Sequence, residues 1–274
     1  MGVSDDRSYS ARLFGPFTVL RGDRPLGTAG AAPGLTAART LLKWFLIHPG
    51  VRFSPEELAE VIAPGRSNPR NRLNRTLHYL RDYLEPDREG RPSTFIHNTD
   101  SGYRFDPAER WQVDYWQARL LIIKARQTRS RGDVDNAIHQ LETLAQMDAM
   151  VFLPEDIYDD AFAETRAAHE SACHEARLTL LNLYLTTQRL PQALAGGLAL
   201  LDQDPYDESA AEAVAVAHAL GGNRIAAIQS LLEFRARLTD DMRIRPSDDL
   251  LRLEHQLRSG APIRTAPDGR PQRG

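Results

Sequence analysis

Asn68-Pro69-Arg70-Asn71-Arg72-Leu73-Asn74-Arg75-Thr76-Leu77-His78-Tyr79-Leu80-Arg81-Asp82-Tyr83-Leu84 is the stretch whose reading decides the fold. Leu73, Leu77, Leu80 and Leu84 recur at helical spacing, so they form one stripe of an α-helix that faces a core. The opposite face carries Asn71, Arg75, His78 and Asp82, flanked by Arg72, Asn74 and Tyr79. From Arg66 to Arg81 inclusive there are five arginines and no carboxylate. An ordinary solvated helix surface intersperses Glu and Lys; this one offers forked donors instead. Arginine can fork onto guanine, asparagine onto adenine, and tyrosine or histidine can reach phosphates or base edges. A helix entering the major groove of double-stranded DNA needs such a face. The expected contacts are Arg70, Asn71, Arg72, Asn74, Arg75, His78, Tyr79 and Arg81. Asp82, near the helix C-terminus, would repel phosphate, so the N-terminal half is expected to do the reading.

The flanking sequence supplies the scaffold. Upstream, Ser54-Pro55-Glu56-Glu57 is a capping box with proline at the first helical position, opening a helix through Leu58, Val61 and Ile62 that stops at Pro64-Gly65. Before it, Thr36 can cap a helix carrying Leu41, Leu42, Phe45 and Leu46 inward and ending at His48-Pro49-Gly50. Downstream, the runs 94–98 and 102–105 read as a hairpin with its tip at Thr99-Asp100-Ser101. Thr99, Ser101 and Arg104 are its candidate contacts to sugar-phosphate or the minor groove, whereas Phe105 reads as packing. At the front, residues 1–10 read as a frayed tail. Residues 12–20 then read as a strand made edge-like or bulged by Pro16, with a turn at Arg21-Gly22-Asp23-Arg24. Sheet, three helices and a hairpin is the order of a winged helix.

Beyond Trp111 the periodicity is helical almost throughout, near 114–130, 133–147, 159–188, 190–203, 206–220, 223–240 and 246–258. Gln188-Arg189-Leu190-Pro191-Gln192-Ala193-Leu194 is echoed 34 residues later by Gly222-Asn223-Arg224-Ile225-Ala226-Ala227-Ile228, and Arg131-Gly132-Asp133 begins a third copy. That offset is the tetratricopeptide period. The predicted fold is mainly α: an N-terminal winged helix with a small β-sheet and wing hairpin over 10–108, then an all-α tetratricopeptide-like domain over 112–259. Residues 260–274 are expected to be a disordered tail.

Composition narrows the function classes. The chain has 274 residues and a net charge of −3, but the charge is unevenly spread. Residues 1–110 hold 16 basic and 13 acidic side chains; the remainder holds 18 and 24. Only Lys43 and Lys124 are lysines. One cysteine, Cys173, excludes an internal disulfide framework and a cysteine-cluster zinc site. No run is apolar and long enough to span a bilayer, and the N-terminus carries early acids rather than a signal core, so a cytoplasmic protein without membrane contact is expected. His169-Glu170-Ser171-Ala172-Cys173-His174 falls short of a zinc-binding helix because Cys173 stands where the second histidine belongs. The acids Glu155, Asp156, Asp159 and Asp160 read as a solvated loop and helix start. Phosphate-binding loops and nucleophile elbows are absent from the sequence, so no enzyme, metal or cofactor is expected.

With helix and wing in place, the chain resembles the antibiotic regulatory proteins called SARPs, which join an OmpR-type winged helix to a bacterial transcriptional activator domain. The resemblance covers residues 11–258. It rests on Leu13-Phe14-Gly15-Pro16-Phe17-Thr18-Val19, the helix and turn from Leu41 to Phe53, Arg70-Asn71 with Leu73 and Leu80-Arg81, and Gly102-Tyr103-Arg104-Phe105. Gln112-Val113-Asp114, and Gly222-Asn223-Arg224 through Arg245-Pro246, extend it into the activator domain. The resemblance implies a sequence-specific activator that binds direct repeats at promoters, as a homodimer or in tandem, and recruits RNA polymerase holoenzyme to secondary-metabolite genes. It also implies a polymerase-contacting loop at Ala63–Ser67, with Pro64, Gly65 and Arg66 as the contacts. Two departures stand out: Ala63-Pro64-Gly65 replaces a common Leu-Trp-Gly, and Arg75-Thr76 replaces a common Val-His. The other readings are a repressor, or a helical-repeat regulator that senses a ligand or acts mainly through protein contacts.

Overall fold

The computed structural model describes residues 8–26, 34–66, 68–100 and 102–263, and two compact units divide the chain. One comprises Met1–Leu120 with Met147–Ala168; the other comprises Leu121–Gln146 with His169–Gly274.

The first unit opens with β1 (Tyr9–Arg12), β2 (Thr18–Arg21) and β3 (Arg24–Pro25). The sequence reading of a frayed start fails at Tyr9. Its ring stacks on Trp111 at 4.8 Å, meets Phe95 edge-on at 5.0 Å, and its hydroxyl donates to the Leu84 carbonyl at 2.7 Å. The expected single strand over 12–20 is interrupted at 13–17, so β1 and β2 form a hairpin with Arg12 opposite Thr18. The turn at Gly22-Asp23 leads into β3 as expected.

Three helices follow: α1 (Leu35–Ile47), α2 (Pro55–Ile62) and α3 (Pro69–Leu84), with the short β4 (Arg52–Phe53) between the first two. Leu41, Leu42, Phe45 and Leu46 are fully buried on α1. Thr36 does not cap that helix: the N-cap is Gly34, and Thr36 lies in the first turn. On α2 the capping box is complete, Ser54 and Glu57 exchanging side-chain and backbone hydrogen bonds. The wing strands β5 (Ile96–Thr99) and β6 (Gly102–Phe105) pair antiparallel, and β4 joins the far edge of β6. The strand β7 (Trp111–Val113) then returns to lie parallel to β1, giving the order β3-β2-β1-β7.

Residues 147–168 belong to this unit as well. Leu153 N–H donates to the Leu13 carbonyl at 2.8 Å, Gly15 N–H to the Val151 carbonyl at 2.9 Å, and Phe14 packs on Phe152. Lys43 of α1, 3% exposed, reaches Glu155 at 3.1 Å and Asp156 at 2.6 Å, while its ammonium sits 5.0 Å from the Phe17 ring centre. The acids read as a solvated loop therefore include both partners of a buried lysine. Asp159 and Asp160 keep the expected role, Asp159 accepting from Ala161 N–H at the start of a 3₁₀ turn and the exposed Asp160 lying in its first turn. Burial pushes the Glu155 carboxyl up, but its hydrogen bond to Lys43 and the charges of Lys43 and Arg39 outweigh that and hold it below the ordinary glutamate range.

The second unit begins within α4 (Asp114–Ser130) and contains most of α5 (Val134–Met147) and of α6 (Ala163–Thr186), then α7 (Leu190–Gln203), α8 (Glu208–Leu220), α9 (Arg224–Arg237) and α10 (Asp248–Ser259). The repeat read from the sequence recurs in the backbone. Gly132, Gln188 and Gly222 occupy one repeat position and have φ of 80°, 58° and 79°, while Ala137, Ala193 and Ala227, five residues on, are each fully buried. Arg224, from the stretch that resembles the activator domain, donates to the Leu257 and Arg258 carbonyls and so caps the end of α10. Asn223 caps the start of α9, accepting from Ala226 N–H. His169 and Cys173 are buried one turn apart on α6.

Three predictions follow from these features. Lys43→Ala leaves two acids without their cation, one of them largely buried, and should lower unfolding stability by about 3–5 kcal/mol in urea denaturation. Since the folded Glu155 carboxyl is depressed, its contribution is present above the ordinary glutamate range and is lost as pH falls through the folded value. The urea midpoint of the native chain should therefore drop below about pH 4.5, and Glu155→Gln should flatten that part of the curve. At Gln188, a side chain sits in the left-handed region where the sister repeats use glycine. Gln188→Gly should raise stability by about 1 kcal/mol by the same measurement, whereas a loss would show that glutamine's side chain outweighs the backbone strain.

Candidate nucleic-acid interface

The stripe read from the sequence is buried as expected: Leu73, Leu77, Leu80 and Leu84 are at most 1% exposed on α3. Thr76 joins them at 3%, so the departure noted at that position falls in the core and not on a reading surface. Asn71, Arg72, Asn74, Arg75, His78 and Tyr79 are all exposed and share the outer side of the helix. Arg72 and Arg75 have no ion-pair partner among the described residues. Arg70 is exposed too, but bonds the Glu56 carboxylate at 2.8 Å, which holds that acid below its ordinary range. Glu56 therefore competes with any phosphate for Arg70.

Arg81 is not brought to this face. It is half-buried, donates to the Ile96 carbonyl at 3.4 Å, and burial pushes its pKa down. It ties α3 to the wing. Tyr79 is 44% exposed, and its ring lies so close to Gly34 that a Cβ there would approach it to 2.8 Å. Asp82 bonds Arg88 at 3.0 Å and lies 3.3 Å from His78. The repulsion expected from Asp82 is thus offset locally by Arg88, whose part the sequence reading missed. An i,i+6 pair bent around Pro86 carries no periodic signal.

At the N-terminus of α3, Asn68 takes φ of 61° and its side chain forms no cap. The first N–H groups of the helix consequently lack that partner, leaving a partial positive charge beside Arg70, Asn71 and Arg72. Pro64, Gly65 and Arg66 are exposed in the turn between α2 and α3, closed by a hydrogen bond from Arg66 N–H to the Ala63 carbonyl at 3.3 Å. Ser67 lies outside the described residues.

In the wing, Thr99 Oγ1 donates to the Gly102 carbonyl at 2.9 Å and closes the tip. Ser101 lies outside the described residues. Arg104 is partly buried, with its guanidinium 3.5 Å from Asp106. Phe105 is fully buried against Phe45, as read from the sequence. Gly102 is required where it stands: its φ is 132°, and a Cβ would lie 2.0 Å from the Phe53 carbonyl oxygen of the neighbouring strand.

Residues 113–258 match the bacterial transcriptional activator domain. The chain belongs to that family. The match covers more than half of its length, and with the winged helix in front the chain is a transcriptional regulator of the SARP type. The structure of Mycobacterium tuberculosis EmbR in complex with low affinity phosphopeptide is similar in fold, with a TM-score of 0.80 at 18% identity, over 95% of this chain and 67% of that one. No curated protein matches the sequence. No helix among the described residues is long and apolar enough to cross a membrane.

Gly102→Ala should destabilise the winged helix by more than about 2 kcal/mol, because backbone and not a flexible side chain stands in the way. Urea unfolding followed by tryptophan fluorescence reads this through Trp111, which packs on Phe95 and Phe105. An unchanged midpoint would mean that β4 is free to move away.

Proposed function

We propose that this regulator acts by binding double-stranded DNA through α3, with residues 10–108 as the DNA-binding domain and 112–259 as the activator domain; the tail read at 260–274 lies, from 264 on, outside the described residues. The observation that carries the reading is the outer side of α3. Its arginines and asparagines are exposed, Arg72 and Arg75 have no acid opposite them among the described residues, and the leucine stripe anchors the helix from behind. Arg72, Arg75, Asn71 and Asn74 are the base-reading candidates. Arg70, His78 and Tyr79 are the candidates for phosphate or flanking contacts, and Thr99, Arg104 and Ser101, the last outside the described residues, are those of the wing. Arg81 serves by holding the helix on the wing. With five or six phosphate contacts, affinity falls steeply with salt, at about −0.9 in log–log slope per neutralised phosphate.

The same reading makes the chain a cytoplasmic activator without catalytic activity. It binds direct repeats at promoters, as a homodimer or in tandem, and recruits RNA polymerase holoenzyme through the exposed turn of Pro64, Gly65 and Arg66. Secondary-metabolite gene clusters are the targets that the SARP resemblance supports.

A genome-wide map of bound DNA, joined to transcript changes on deletion, tests the reading at the level of the cell. On a site recovered that way, Arg75→Ala should weaken binding about ten- to hundred-fold and relax sequence preference. Glu56→Gln should tighten it severalfold at low salt by releasing Arg70. Unchanged affinity and promoter output in the Arg72→Ala, Arg75→Ala double variant would overturn the reading.

A further inference from the structure

Two exposed patches of this chain carry opposite charge around an apolar centre. Residues 115–132 hold five basic side chains and no acid, whereas the rest of 111–274 holds 13 basic and 24 acidic ones. Most of that basic stretch is α4, and its outer face is not wholly polar. Leu120 and Ile123, one turn apart, are half-exposed; Lys124 and Gln127 continue the same stripe, with Arg119 beside it, all three exposed. Lys124 has no ion-pair partner among the described residues. α4 is also the first helix of the repeat array, and the end of such an array ordinarily turns a polar face outward. Two large aliphatic side chains stand there instead. Nucleic acid would reward the cations but not the aliphatic pair. A protein surface with acids around an apolar anchor rewards both.

The chain displays such a surface itself. Residues 147–165 hold six acids and no base. Between the 3₁₀ turns at 154–156 and 160–162, Ile157 is half-exposed, Tyr158 is 96% exposed, and the exposed Asp160 follows. The loop is held from beneath. Lys43 binds Glu155 and Asp156, and Arg166 donates to the Asp156 and Ile157 carbonyls at 2.5 and 3.2 Å. A loop so fixed has little freedom to lose on docking. Tyrosine is also among the side chains that carry most of the binding energy at interfaces.

We propose that this loop of one copy docks on the outer face of α4 of a second copy. Ile157 and Tyr158 cover Leu120 and Ile123, and Asp160 faces Lys124. Glu155 and Asp156 already serve Lys43, so the charge pairing falls to Asp160. The contact rests on the homodimeric or tandem arrangement proposed above, to which it gives a surface, and it uses no residue of α3.

Sedimentation of the full chain tests this. The native chain should associate reversibly, and more weakly as salt rises from about 0.05 to 0.5 M. Tyr158→Ser and Ile123→Ser should each weaken association about ten-fold or more while leaving the urea midpoint unchanged. If Ile123→Ser does not fold, Lys124→Glu takes its place. An equimolar mixture of the loop variant and the helix variant should recover association, because the intact loop of one meets the intact α4 of the other. General damage to folding would not be mended that way. A native chain that stays monomeric, variants that associate as it does, or a mixture no stronger than its components would each overturn the proposal. Affinity for a single DNA site, measured alongside, should be the same in all variants. Its absence from the native chain would overturn the α3 reading and leave this surface standing.

Discussion

One ammonium group holds the winged-helix unit in register with a segment more than a hundred residues away. Lys43 is 3% exposed and its charge cannot be left alone at that depth, so α1 docks correctly only where Glu155 and Asp156 arrive. Their arrival fixes the rest of the 147–168 segment, whose backbone closes hydrogen bonds with Leu13 and Gly15 and whose Phe152 packs on Phe14 and Tyr115. Phe17 is pinned from both sides, its ring by Lys43 and Arg39 and its N–H by Glu155. The match to the activator domain begins at residue 113 and runs through this segment, yet the segment folds with the winged helix. A winged helix cut at the end of its wing would keep the lysine and lose both carboxylates.

The consequence reaches α3 through packing and not through charge. The long helix rests on α1 and α2, and its C-terminal carbonyl at Leu84 is held by Tyr9 from β1. Arg81 then bolts the same end to β5. Apart from the leucine stripe and the exposed Arg70–Glu56 pair with α2, these anchors sit at the C-terminal half. In the N-terminal half Arg70, Asn71, Arg72, Asn74 and Arg75 are exposed. Locally paired acids, Asp82 with Arg88 and Glu56 with Arg70, limit repulsion without removing the excess of unpaired guanidinium on that face.

What was legible in the sequence was whatever repeats with a local period or a local cap. The leucine stripe, the Ser54 capping box, the hairpin at 96–105 and the 34-residue echo all depend on neighbours within a few residues, or on self-similarity, and each reappears in the structure. What was illegible depends on a distant partner. Tyr9 reads as tail because its reasons, Trp111, Phe95 and Leu84, lie at least 75 residues away. Glu155 and Asp156 read as solvated because nothing nearby neutralises them. Arg81 reads as surface because its type is polar, while the helical angle alone does not show how wide the buried face is. On the candidate interface the residue types were legible; which of them the wing and α2 would engage was not.

The choice of lysine at position 43 fits the same physics. The chain uses arginine almost everywhere a cation is needed, and only Lys43 and Lys124 depart from that. A bare genomic preference would put arginine at position 43 as well. Three donors on one compact ammonium suit a pocket whose acceptors are two carboxylates and whose wall is the Phe17 ring. A guanidinium would bring five donors fixed on a rigid plane, and any that met no carboxylate oxygen in line would be left buried and unpaired. On the proposed reading, the exposed side of α3 imposes the reverse demand, since a planar fork suits base edges and phosphates and solvent satisfies whatever it leaves over. Burial thus separates the two cations: the structural site selects the point charge, and the open face selects the fork.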